Sequence, residues 1–241
     1  ACAGMGAVLH TLNVRLGEND LDYIINHAED QVIIVDADIL PLLEKMKDRM
    51  PTVRQVIIAT EEGFEGWTTE LPNPIDYEDF IAGQPTNYEW PQIDENSPMG
   101  LCYTSGTTGH PKGVEYEHRS QYLHTMTQCL TDSMGLSGTD TVCGIVPMFH
   151  AMGWGIPWSA LMLGCKQVMP HRFMDPGRLI ELMSSEQVTL SAGVPTIWQG
   201  VKGLYEANPG KYDLSSLSRL TCGGSSPPPS LIRWFWDELD V

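Results

Sequence analysis

The densest chemistry in the chain lies in one run, Tyr103-Thr104-Ser105-Gly106-Thr107-Thr108-Gly109-His110-Pro111-Lys112-Gly113. Gly106, Gly109 and Gly113 let the backbone approach a ligand closely and take positive φ. Thr104, Ser105, Thr107 and Thr108 supply hydroxyl donors without bulk, and Lys112 supplies one mobile positive charge. Together they make a polyphosphate cradle. It is not a Walker A loop, which needs Gly before its Lys and Ser or Thr after it. Here Pro111 precedes Lys112 and Gly113 follows it. A plain polar turn has no need of so many hydroxyls joined to Pro-Lys-Gly.

Two later clusters are weaker on their own. His150 ends the apolar run Val146-Pro147-Met148-Phe149, with Trp154 four residues on. Taken alone, His150 reads equally as a satisfied core histidine or as a functional imidazole. Trp154 reads as core packing or as a pocket wall. Gly223-Gly224-Ser225 reads alone as a turn. Met148, Met152, Met162 and Met169 read mostly as core filler, though a Met-lined tunnel would suit a lipid tail.

These clusters need a frame. Leu21, Ile24, Ile25 and Ala28 share one helix face. Gln31–Val35 and Val53–Ala59 read as strands, with a helix from Leu40 to Met46 between them. Residues 60–98 read as a long surface connection with one short helix over 76–82. Met99–Tyr103 is a strand that feeds the hydroxyl loop. Arg119–Met134 reads as a helix and Val142–Val146 and Gln167–Met169 as strands. Asp175-Pro176 opens a helix through Met183. Val188–Ser191 and Arg219–Cys222 read as strands, and Pro195–Tyr205 and Pro228–Leu239 as helices. This alternation predicts an α/β fold with mostly parallel sheet. Open sheets of that kind place ligands beyond the strands' carboxyl ends, where the hydroxyl loop begins. The predicted division falls near residue 90, giving subdomains of about 1–90 and 91–241, the second carrying the loop.

With 31 Asp and Glu against 14 Lys and Arg, the 241-residue chain carries a formal charge of −17. That argues against nucleic acid as a partner and against adhesion to an anionic membrane. The longest apolar stretch, 151–165, is broken by Gly153, Gly155 and Pro157, so no transmembrane segment is expected. The six cysteines are dispersed, without metal-pair spacing, and read as buried thiols in a reducing, cytoplasmic compartment. Peripheral association with membranes stays open.

The hydroxyl loop resembles the signature phosphate loop of the adenylate-forming superfamily, which includes acyl-CoA synthetases, luciferases and peptide-synthetase adenylation domains. Val146-Pro147-Met148-Phe149-His150 with Trp154 resembles that superfamily's second core motif. Ala192-Gly193-Val194-Pro195-Thr196-Ile197-Trp198 is similar to a run in long-chain fatty-acid–CoA ligases, and Cys222-Gly223-Gly224-Ser225-Ser226 to an adenine-contacting turn. Gly6-Ala7-Val8-Leu9-His10-Thr11 and Tyr23–Glu29 fit the same branch.

The resemblance covers essentially the whole chain. It implies the central part of a large N-terminal domain of layered αβαβα sheets. It implies that Thr104 helps hold Mg²⁺, and that Thr104, Ser105, Gly106, Thr107, Thr108, Gly109 and Lys112 embrace the ATP phosphates. It places His150 beside the acyl carboxylate, Trp154 as an aromatic gate on the acyl tunnel, and Gly223, Gly224 and Ser225 on the adenine side. Lys112, His150 and Thr104 are thereby the expected catalytic residues. The implied activity is ATP-dependent activation of a fatty acid as its acyl-adenylate, with pyrophosphate released and the acyl group passed to CoA. Small molecules (fatty acid, ATP and CoA) are the implied partners, with a homodimer open for the full-length protein.

The chain also departs from the family pattern. A Tyr-Gly-x-Thr-Glu segment, a later ribose-binding aspartate and a C-terminal lid domain with its lysine are not among the 241 residues. The expectation is therefore an internal fragment, inactive alone, weak in ATP binding and partly unfolded. Competing expectations are a medium-chain or methylthio-propionate ligase, or a non-catalytic nucleotide- or acyl-binding remnant. A luciferase-like oxidase, an amino-acid adenylation domain and a P-loop ATPase fit less well.

Overall fold

A computed structural model describes residues 1–60, 66–104, 109–171 and 174–241. The chain packs as two units, Ala1–Glu117 and His118–Val241. The division expected near residue 90 falls at 117 because the loop-bearing strand pairs with an early strand, not with the later ones.

The first unit runs β1 (Leu9–His10), α1 (Glu18–His27), β2 (Val32–Asp36), α2 (Leu40–Glu44), β3 (Gln55–Ala59), β4 (Pro74–Asp76), α3 (Tyr77–Ile81), β5 (Pro98–Thr104) and β6 (Lys112–Glu117). Strands β2, β3 and β4 form a parallel sheet in that order. Leu21, Ile24 and Ile25 on one face of α1 pack with Ile33, Val56 and Ile58 in one apolar core. Glu18 and Asp20 sit in the first turn of α1, where the helix dipole favours negative charge.

A second sheet has the order β1-β5-β6. Strand β1 is parallel to β5, while β6 is antiparallel to it. Two strands lay outside the sequence expectation. Strand β4 is hidden in the polar stretch read as a connection. Strand β6 reads Lys-Gly-Val-Glu-Tyr-Glu, which is mostly exposed and carries little apolar signal.

The second unit runs α4 (His118–Gln128), β7 (Thr141–Gly144), α5 (Ala151–Trp154), α6 (Ile156–Leu163), β8 (Lys166–Gln167), α7 (Pro176–Ser185), β9 (Leu190–Gly193), α8 (Pro195–Ala207), β10 (Arg219–Cys222) and α9 (Pro229–Leu239). The sheet order is β10-β9-β7-β8, all parallel. As expected, Asp175 caps α7, its side chain accepting from the Arg178 amide at 3.1 Å. Trp198, Leu179, Ile180, Met183, Trp234 and Phe235 from α7, α8 and α9 join Cys143 and Ile145 in the main core. Helix α4 stops at Gln128, short of the predicted Met134, because the chain turns through 129–135.

The amino-terminal edge of this sheet is pinned by buried Asp140. It accepts from the Ser137 amide at 2.8 Å and the Thr189 hydroxyl at 2.7 Å, and pairs with the Arg219 guanidinium. Three parallel strands are thus tied at one edge, which leaves the opposite edge free to present loops.

Candidate functional site

In the first unit the hydroxyl loop joins two antiparallel strands, β5 and β6. Thr104 ends β5 and Lys112 begins β6, and the two are register partners. Directly opposed residues on antiparallel strands project to the same face. The Thr104 hydroxyl and the Lys112 ammonium therefore emerge on one side of the ribbon, and both residues are exposed. Gly109 is described and exposed, whereas Ser105, Gly106, Thr107 and Thr108 lie outside the described residues.

The flanks of the loop are braced by α1. The Tyr103 hydroxyl lies 2.7 Å from His27 Nδ1, and His110 stacks on Tyr23 with ring centroids 4.4 Å apart. Beneath them, His10 Nδ1 meets the Asp30 carboxylate at 2.8 Å, and its ring lies 5.2 Å from that of Tyr103. Partial burial, with Asp30 and Tyr23 nearby, pushes the Tyr103 phenol up, so it stays a neutral hydrogen-bonding group. Gly113 allows this packing, since a Cβ there would meet the Tyr103 ring and Leu101 at 3.2 Å.

In the second unit the candidate residues leave the carboxyl edge of the parallel sheet. Residues 145–150 follow β7, and 223–225 follow β10, with the Gly223 amide donating to the Gly193 carbonyl at 3.1 Å. That is the edge where open α/β sheets bind ligands. His150 is exposed and stands just before α5. Ala151, Met152, Gly153, Trp154 and Gly155 all have positive φ, between 46° and 73°. This is a left-handed turn, which costs each of its three non-glycine residues roughly 1–2 kcal/mol.

The turn lays the Trp154 ring on the backbone of Gly223. A Cβ at Gly223 would fall 2.3 Å from that ring, so no larger residue fits while the ring holds this place. The aromatic expected on the acyl side thus touches the turn expected on the adenine side. Gly224 has φ +82°, and both it and Ser225 are exposed.

Sequence reasoning passed over the residues that hold this turn. Helix α4 directs Gln128 and His124 at the Trp154 carbonyl, with Nε2 atoms at 2.6 and 3.0 Å. The Ser159 hydroxyl donates to Gln128 Oε1 and also lies 3.2 Å from the Gly155 carbonyl. The approach is so close that a Cβ at Gly155 would meet His124 at 2.4 Å. The available signal was the polar spacing Gln121, His124, Thr125, Gln128 on one helical face.

Among the described residues no group of three His, Cys, Asp or Glu side chains could hold a metal ion. A cleft of about 270 Å³ lined by Gln199, Lys202, Glu206 and Leu231 contains none of the expected site residues. None of the six cysteines is in a disulfide, and burial pushes the Cys143 thiol up to about 12, so it is inert.

Comparison with known proteins turns this arrangement into a family. The model of the AMP-binding enzyme family matches residues 1–241. The chain belongs to the AMP-binding enzymes. This AMP-binding chain is 43% identical over 241 residues to a medium-chain-fatty-acid–CoA ligase of Ectopseudomonas oleovorans, covering 100% of the chain and 44% of that relative. It is 42% identical over 241 residues to a 3-methylmercaptopropionyl-CoA ligase of Ruegeria lacuscaerulensis, again covering 100% and 44%. To a long-chain-fatty-acid–CoA ligase of Thermus thermophilus it is 41% identical over 235 residues, covering 98% and 41%. The chain thus spans less than half the length of the curated relatives it matches. Its fold is that of the anthranilate CoA ligase AuaEII solved in complex with anthranoyl-AMP, with TM-score 0.82 at 24% identity, covering 99% of this chain and 44% of that one.

Proposed function

We propose that this AMP-binding chain is the phosphate-loop and acyl-side portion of an ATP-dependent fatty-acid–CoA ligase. The observation that carries the reading is the pairing of Thr104 with Lys112 at the mouth of the hydroxyl-rich hairpin. The names of the relatives above support it. A carboxylate oxygen attacks the α-phosphorus of ATP, the bond to the bridging oxygen breaks, and pyrophosphate leaves. The thiol of CoA then attacks the acyl carbon, AMP leaves, and the thiol proton passes to solvent.

Both partners in the first step are anions, so the work of the site is charge neutralisation and alignment. Lys112 offsets charge on the departing phosphates, and the loop hydroxyls Thr104, Ser105, Thr107 and Thr108 donate to their oxygens. Gly106 and Gly109 leave room for the backbone to close in. His150 lies beside the carboxylate. Trp154 walls the acyl side, and Gly223, Gly224 and Ser225 wall the adenine side.

Thr104 offers one exposed hydroxyl oxygen, and among the described residues no group of three His, Cys, Asp or Glu side chains could hold a metal ion, so this hydroxyl would be one ligand to a Mg²⁺ ion carried by the nucleotide. When bound, Mg²⁺ would neutralise phosphate charge.

The acyl group is a fatty acid; relatives of nearly equal identity are named for medium-chain, long-chain and methylmercaptopropionyl substrates. The test is ATP–pyrophosphate exchange by the protein carrying this segment, across a panel of carboxylic acids. Exchange with fatty acids, lost in Lys112→Ala, is expected. No exchange with any acid sinks the ligase reading and leaves a nucleotide-binding remnant.

No helix among the described residues is long and apolar enough to cross a membrane. A cytoplasmic enzyme that collects lipid substrates at membrane surfaces, and that forms a homodimer, completes the proposal. Vesicle sedimentation and light scattering test these two points.

A further inference from the structure

We infer that Gln128 is a positioning residue for the acyl side of the site, acting through the carbonyl of Trp154. The inference rests on the ligase reading only for its kinetic consequence; the contact itself is geometric. Residues Ala151–Gly155 all have positive φ, and three of them are not glycine, so the backbone does not prefer this shape by itself. Something must hold it, and the hydrogen bonds to the Trp154 carbonyl identify what does.

Gln128 Nε2 donates to the Trp154 carbonyl at 2.6 Å, and its Oε1 accepts from the Ser159 hydroxyl. The amide is thus oriented at both ends, and Gln128 is only 6% exposed. Ser159 is fully buried and belongs to α6, which follows the turn directly. His124 Nε2 lies 3.0 Å from the same carbonyl and 3.1 Å from Gln128 Nε2. Two side chains of α4 and one of α6 therefore grip the carboxyl end of the left-handed turn. The outer edge of the Trp154 ring then lies against Gly223. His150 sits at the other end of the same turn and is set by it.

A wall that is held by a remote amide changes where the acid lies without touching it. Releasing the clamp should therefore weaken alignment of the carboxylic acid more than binding of ATP. The experiment uses Gln128→Met, which keeps length and removes both hydrogen bonds, and Gln128→Ala, in the protein carrying this segment. His124→Ala is the companion variant, since His124 is exposed and its removal leaves the core intact.

Hydrogen exchange reads the clamp directly. Peptides spanning 148–158 should lose at least about tenfold protection in Gln128→Met, while α8 and α9 peptides keep theirs. Initial rates read the function. The KM for the acid should rise about tenfold or more, with the KM for ATP within about twofold of wild type and a smaller effect in His124→Ala.

Unchanged exchange at 148–158 in folded Gln128 variants overturns the clamp. So does a fall in kcat that tracks lost thermal stability while the KM for the acid stays put. If Gln128 variants do not fold, unchanged exchange at 148–158 in His124→Ala overturns it too. Wild-type protein that activates no carboxylic acid removes the ligase reading, and the exchange experiment still decides the clamp.

Discussion

Lys112 and Gly223 show how differently two candidate residues announce themselves. Lys112 stands out as a candidate from its neighbours, because it lies among four hydroxyls and three glycines. Lys112→Ala removes the one cation of the described hairpin mouth. ATP–pyrophosphate exchange should fall by about 10²–10³-fold, as for loss of a charge-stabilising donor, with the thermal midpoint unmoved because Lys112 is exposed. Gly223 carried almost no signal, since a Gly-Gly pair is an ordinary turn. Only the fold shows the Trp154 ring 2.3 Å from where a Cβ would stand. Gly223→Ala should displace that ring, costing about 1–3 kcal/mol in a denaturant titration and shifting the preference among acids in the exchange assay. A variant as stable as wild type with the same acid preference would show that the ring contact is idle. The distinction is physical: charge and hydroxyl chemistry are written in residue types, whereas a close approach is written only in three dimensions.

Helix α4 is the element the hydrophobic pattern described least well. Its apolar residues Tyr122, Leu123 and Met126 are exposed, while Gln121, Thr125 and Gln128 are buried. The burial is the reverse of the usual amphipathic pattern, in which the apolar face meets the core. Strand β6 escaped for a related reason: it has little buried face to betray it. The parallel strands β7 and β9 were legible because they are largely buried and lack charged residues, whereas β10, half-buried along its length, showed through its place in the alternation of strands and helices. Their amino-terminal edge makes its own prediction. Burial pushes the Asp140 carboxyl up, but the Thr189 and Ser137 hydrogen bonds and the Arg219 charge outweigh this and hold it below its ordinary value of 3.8. A depressed carboxylate stabilises the fold above its unfolded value and loses that contribution as pH falls through its folded one. Arg219→Ala should therefore raise the pH at which acid unfolds the protein, and should cost about 2–3 kcal/mol at neutral pH by leaving a buried charge unpaired. Acid titration followed by circular dichroism measures both. An unmoved acid midpoint would show that Arg219 does not set the Asp140 charge.

For the whole molecule the governing quantity is the charge of −17 on 241 residues. So much like charge repels itself, and about 0.15 M salt screens beyond roughly 8 Å. Thermal midpoints measured by calorimetry should rise between low and physiological salt. If ATP, CoA and fatty acid are the substrates, their approach to an acidic surface should also quicken with salt, opposite to the behaviour of a basic enzyme. A midpoint that falls with salt would mean that attractive pairs such as Lys166–Glu186 and Lys202–Glu206 outweigh the net repulsion. The hairpin bears on the tolerance of the whole chain to inherited change. Thr104 meets Lys112 because a fixed number of residues separates them, and strands alternate faces with every residue. A missense change in the loop alters one group and leaves the count intact. Gaining or losing a single codon inside β6 would turn following side chains to the opposite face while keeping the composition. A scan of the gene should therefore find β6 more forgiving of altered spelling than of altered length.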